Sequence, residues 1–205
     1  MHPNPIFRQD PQERNINLAR ERSFGTLALN HTEGPLLSHI PFLLSKDGSY
    51  LEAHLQRANP ILKLLENEAK PAVMSVMGGD AYVSPDWYWI DDQVPTWNYT
   101  AVHLRGNLRK LPQDELRGVL DRLSAAMEER LLPKKPWTVD KMNPRAFEKM
   151  AIQIVPIAME VARIEGTWKL SQNKPSSAIE GASLGVKQSG IGSETEALAA
   201  LMKPD

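Results

Sequence analysis

The chain has 205 residues, 41% of them apolar and 24% charged, and a net charge of −1. That composition is ordinary for a globular protein able to bury a core. It contains no cysteine, which excludes disulfides, thiolate metal sites and cysteine nucleophiles. The near-neutral charge lacks the basic footprint usual in nucleic-acid binding, and no apolar run reaches the ~20 residues that a membrane helix needs. The opening MHPNPIFRQDPQERN has no apolar signal-peptide core, so a cytoplasmic protein is the expectation.

In chain order, DPQERNINLARER (10–22) predicts a first helix, with Asp10 as cap, Pro11 at its first position and Glu13 completing a capping box. FGTLAL (24–29) predicts a strand, and LLSHIPFLLS (36–45) a longer apolar strand. Lys46-Asp47-Gly48-Ser49 suits a hairpin turn returning through YLEAHL (50–55). Asn59-Pro60 starts a short helix, ILKLLENE. PAVMSVMG (71–78) and AYVS (81–84) read as a strand pair turning at Gly78-Gly79, and YTAVHLRGNLRKL (99–111) as one long strand.

The strongest helical pattern is 112–132, where Leu116, Val119, Leu120, Leu123, Met127 and Leu131 form one stripe suited to packing on a sheet. Asn143 and Pro144 open another helix over 143–154, and 157–171 reads as the last strand. Beyond Ser171 the chain is rich in Ser, Gly, Ala and Lys. Two short helices are expected there, the second capped by Ser193 and Glu196, as a docked appendage or a mobile tail. Six or so strands on short turns indicate an antiparallel β-barrel of the α+β class with peripheral helices.

Phosphate-loop, HExxH, GxSxG and EF-hand signatures are absent, so any chemistry rests on residues that the fold gathers. His39, His54 and His103 each fall in a predicted strand and could meet in a barrel, although each alone reads as a satisfied imidazole. HLQRANP (54–60) places Arg57 and Asn59 at a helix start, a pattern suited to an anion but equally to a cap beside a surface charge. GTWKLSQN (166–173) sets Lys169, Ser171, Gln172 and Asn173 at a strand end. YVSPDWYWIDDQVPTWNYTAVH (82–103) holds three of the five tryptophans and three of the four tyrosines. Three aspartates interrupt it, which argues against base stacking.

Taken together, SFGTL, SHIPFLL, HLQRANP, AYVSPDWYW, VPTWNYTAVHLRGNLR and GTWKLSQN, in this order, resemble the PaiB-type family of FMN-binding negative transcriptional regulators, within the flavin split-barrel superfamily. The resemblance covers about residues 1–173; Gln56 stands where the family tends to have alanine, and the stretch after Pro175 matches poorly. It implies a homodimer of six-stranded antiparallel split barrels with FMN in a cleft between subunits. Residues 1–173 would be the FMN-binding domain and 174–205 the appendage. Ser38, His39 and Pro41 would lie beside the isoalloxazine, with His54, Arg57 and Asn59 near the phosphate. Trp97, Asn98 and His103 would border the cleft, and Lys169, Ser171 and Gln172 would come from the second chain. No metal site is expected. A flavin-dependent oxidoreductase and a heme-binding split barrel are the alternatives. Direct DNA binding is doubtful, because the two C-terminal helices lack a basic recognition face.

Overall fold

The computed structural model describes residues 1–203. Its elements are α1 (Gln12–Arg22), β1 (Phe24–Leu29), β2 (Leu36–Leu44), β3 (Tyr50–Gln56), α2 (Ile61–Leu64), β4 (Lys70–Val83), β5 (Thr96–Lys110), α3 (Leu116–Glu128), α4 (Pro144–Ala151), β6 (Ile154–Lys169), α5 (Ser176–Ser189), β7 (Gly192–Ser193) and α6 (Thr195–Met202), with short 3-10 turns between some of them. The strands follow the order β1-β2-β3-β6-β5-β4-β7, and β1 also pairs with β4. That extra pairing, Thr26 with Ser75 through Leu29 with Ala72, closes six strands into the expected antiparallel barrel of the α+β class. β7 adds a two-residue seventh strand.

Alternation builds these strands. In β1 the side chains of Leu27 and Leu29 turn inward, and in β2 Ile40, Phe42 and Leu44 do the same. The Asp47 carboxylate organises the β2–β3 turn by accepting from Ser45 Oγ at 2.6 Å and Ser49 N at 3.1 Å. Those bonds, Ser45 first, pull its pKa down to about 2.

Three expected boundaries differ from the structure. Gly78-Gly79 is no turn: β4 runs straight through it. A Cβ on Gly78 would lie 2.0 Å from Thr100 Oγ1, so this glycine serves close approach of backbone to a neighbouring strand. The helix after Pro60 stops at Leu64 rather than Glu68. Only Ile61, Leu62 and Leu65 are buried there, and Pro71 biases Lys70 toward extended backbone. α6 starts after Glu194 rather than Ser193 and has no side-chain capping hydrogen bond; Ser193 is held in β7, and its N–H donates to Asp80 Oδ1.

The chain divides into two compact units, one of Ala19–Ser75 and Leu104–Ile164, the other of Met1–Leu18, Val76–His103 and the chain from Glu165 onward. In the former, Val119 and Leu123 of α3 pack with Leu111, Ala158, Leu43 and Tyr50. The predicted stripe is thus used, except that Leu131 beyond the helix is exposed. In the latter, α5 and α6 bury Ala178, Ile179, Ala182, Val186, Leu198, Ala199 and Met202, so the C-terminal stretch is docked. Trp87 lies against α5, where a Cβ on Gly185 would come within 2.2 Å of its ring.

Candidate functional site

In the Ala19–Ser75 and Leu104–Ile164 unit, the β2–β3 ladder pairs Leu44 with Leu51, Leu43 with Glu52 and Phe42 with Ala53, and stops there. The next residue of β2 is Pro41, which has no N–H to donate. Beyond that point β3 keeps only its pairing with β6, His54 opposite Pro156, Leu55 opposite Val155 and Gln56 opposite Ile154, while β2 runs on against β1 with Pro41 opposite Phe24. The two strands therefore part, and a cavity of about 470 Å³ opens between Ser38–Pro41 and His54–Gln56.

Five predicted residues meet on its wall: Ser38, His39, Pro41, His54 and Asn59. Asn59 Nδ2 donates to Ser38 Oγ at 2.7 Å while its Oδ1 accepts the Ile61 N–H at 3.0 Å, so the Ser38 hydroxyl proton is left to donate elsewhere. His39 Nδ1 is 2.9 Å from Thr26 Oγ1. His54 Nδ1 is buried with no hydrogen-bond partner in the protein. Burial lowers the His54 pKa and favours the neutral ring. Gln56, the position that departs from the resemblance, lines the same cavity.

Arg57 has a different place from the one expected. Its Nε donates to the Ile152 carbonyl at 2.6 Å and its Nη2 to Gln113 Oε1 at 2.9 Å and the Ile154 carbonyl at 3.3 Å. It ties the end of β3 to the approach to β6, and its charge stands exposed beside the cavity rather than on its wall.

The other unit gathers a second set. Asn98, Lys169 and Ser171 line a smaller cavity of about 270 Å³ together with Tyr88 and Lys174. Asn98 is fully buried; its Nδ2 donates to Ser171 Oγ at 2.8 Å and approaches Met202 Sδ at 3.5 Å, while its Oδ1 has no partner. Ser171 holds φ at +66°, a strained value for a residue with a side chain, and its Oγ meets the Tyr88 hydroxyl at 2.8 Å. Lys169 Nζ donates to Thr96 Oγ1 and to the Trp97 carbonyl, and burial lowers its pKa. Gln172 folds back on its own chain, accepting from Leu170 N at 2.8 Å. Trp97 is 47% exposed and meets Tyr82 edge-on. His103, half-buried on β5, lines neither cavity.

Sequence reasoning missed Tyr88 and Lys174. Tyr88 reads as part of a structural aromatic turn, and only the fold brings it to Ser171, 83 positions later. Among the described residues no group of three or more His, Asp or Glu side chains could hold a metal ion, so the three strand histidines do not meet as ligands.

The protein family described as "Putative FMN-binding domain" matches residues 1–163. The chain is 32% identical over 170 residues to the protease synthase and sporulation protein PAI 2 of Bacillus subtilis, covering 82% of this chain and 80% of that one. An uncharacterized protein of Saccharomyces cerevisiae is 32% identical over 125 residues, 55% of this chain and 73% of its own length. Among solved structures, the FAD and heme binding protein from Mycobacterium smegmatis superposes with a TM-score of 0.58 at 21% identity, over 91% of this chain and 82% of that one. The flavocytochrome Anf3 from Azotobacter vinelandii gives 0.53 at 15% identity, over 82% and 72%. At those identities the two structures speak to the fold alone. Family match, PAI 2 relative and closed barrel agree: the chain belongs to the FMN-binding domain family and is a flavin-binding split barrel.

Proposed function

We propose that this chain acts as a homodimeric FMN-binding regulator of the PaiB type, with the flavin seated where β2 and β3 part. The observation that carries this reading is the cavity itself, which has an apolar floor, the free Ser38 hydroxyl proton, and an unpartnered buried imidazole nitrogen on His54. An apolar slot with a few convergent polar groups is what a flat, polar-edged ring requires. Ser38, His39 and Pro41 border the ring, His54 and Asn59 lie toward the phosphate, and Arg57 supplies positive charge from beside the cavity. When bound, FMN supplies electron transfer; the protein's part is to bind, orient and tune it.

Dimerisation is supported by apolar side chains left outside: Phe24 at 55% and Leu37 at 59% exposure in one unit, Val94 and Trp97 in the other. By the family likeness Trp97, Asn98 and His103 border the cleft, and Lys169, Ser171 and Gln172 are the residues that reach the flavin from the second subunit. α5 and α6 carry a single basic residue, Lys187, between them. A regulatory effect therefore runs through the flavin and its partners rather than through a recognition helix on an operator.

The test is Pro41→Val. Restoring an N–H lets the β2–β3 ladder extend toward His54 and narrows the cavity, so FMN affinity falls roughly tenfold, about 1.4 kcal/mol. Unchanged affinity in a folded variant would remove FMN from this cavity.

A further inference from the structure

We infer that the cavity enclosed by Asn98, Ser171, Tyr88, Lys169 and Lys174 is a separate binding site for a small 2-hydroxycarboxylate. Three observations lead there, and none depends on where the flavin sits.

Charge comes first. Lys169 and Lys174 both line the cavity, and their hydrogen-bond acceptors are neutral: Thr96 Oγ1 and the Trp97 carbonyl for Lys169, Gln93 Oε1 for Lys174. Lys174 also stands 5.5 Å over the Tyr88 ring. Asp92 is the one acidic residue among the described residues of the lining, and it is solvent-exposed, where a charge is well screened. Two ammonium groups against one screened carboxylate leave a cavity that favours an anion. Burial lowers the pKa of Lys169, and an anion seated beside it would favour the charged amine.

Proton accounting is the second observation. An ammonium has three protons to donate; Lys169 uses two in the bonds above and Lys174 one. Tyr88 and Ser171 hold two hydroxyl protons but share one hydrogen bond, and Asn98 already donates to Ser171 Oγ. One hydroxyl proton of the pair therefore remains to be given. Several donors and two cations around one space are what the two oxygens of a carboxylate accept.

The third is Asn98 Oδ1, a buried acceptor with no partner. Such a group costs stability unless something donates to it. A hydroxyl on the ligand satisfies it, and is preferred to an ammonium because the two lysines repel a cation. The volume of about 270 Å³ lies below the roughly 300–1,000 Å³ of drug-sized ligand sites, which limits the ligand to a small acid.

The experiment is calorimetric titration of L-lactate, propionate and L-alanine into flavin-free and FMN-loaded protein, repeated with Lys169→Met and Lys174→Met. Saturable lactate binding in both forms is expected, with propionate and alanine weaker and each variant losing roughly tenfold or more in lactate affinity. Thermal midpoints verify that both variants are folded; should Lys169→Met not fold, Lys174→Met carries the comparison. No saturable binding, equal binding of propionate, or unchanged affinity in the folded variants would overturn the site. Displacement of lactate by FMN would also overturn it, because the cavity would then belong to the flavin. A wild-type protein that ignores FMN but binds lactate would sink the flavin reading and leave this one standing.

Discussion

At the scale of single residues, His54 shows how burial turns a common side chain into a specific one. Burial holds its folded pKa below the ordinary value near 6.5. The unfolded chain therefore binds this proton more readily than the folded one. The stabilising difference is complete above the unfolded pKa and is lost as pH falls through it toward the folded value. A thermal-midpoint series from pH 7.5 down to about pH 5 should decline, and His54→Leu should flatten that decline. An identical pH slope in the variant would mean that His54 is not the titrating group. His54 as a candidate was legible in the sequence because it sits amid apolar residues in a strand. Its missing Nδ1 partner was not legible, since that depends on which strands part.

Arg57 and Tyr88 make the same point from opposite sides. An arginine before Asn-Pro reads as an anion receptor, yet its guanidinium is held by carbonyls of Ile152 and Ile154, about 95 positions away. Tyr88 reads as packing, yet its hydroxyl belongs to a polar cluster. Local pattern gives the donor type; the acceptor is chosen by topology.

At the scale of elements, alternation and turn chemistry make β1, the β2–β3 hairpin and α3 legible in the amino-acid pattern alone. The glycines mislead. Gly78-Gly79 looks like a turn because glycine tolerates positive φ, whereas here a neighbouring side chain leaves no room for a Cβ. The same logic governs α5, whose glycines read as weak helix formers until Trp87 is found against them. Gly185→Val is expected to cost about 1–3 kcal/mol of stability through overpacking against the Trp87 ring, measured by denaturant unfolding. A neutral result would show that the aromatic turn moves aside freely. Pro41, which the family likeness sets beside the flavin ring, also ends a ladder in mid-strand, and the cavity begins where the ladder ends.

At the scale of the whole molecule, the order of distinctive words along the chain carries more than composition, which is compatible with many globular classes. The closed six-stranded barrel and the family match over residues 1–163 bear that out. What one chain's sequence does not encode legibly is the surface of the proposed dimer: exposed Phe24, Leu37, Val94 and Trp97 are recognisable as interface candidates only once the barrel has left them outside. That two such chains together hold FMN is best tested by titrating FMN into flavin-free protein while light scattering reports the mass. Saturation at one FMN per chain is expected, on a particle of twice the chain mass; no saturable uptake, or saturation on a single chain, would refute it.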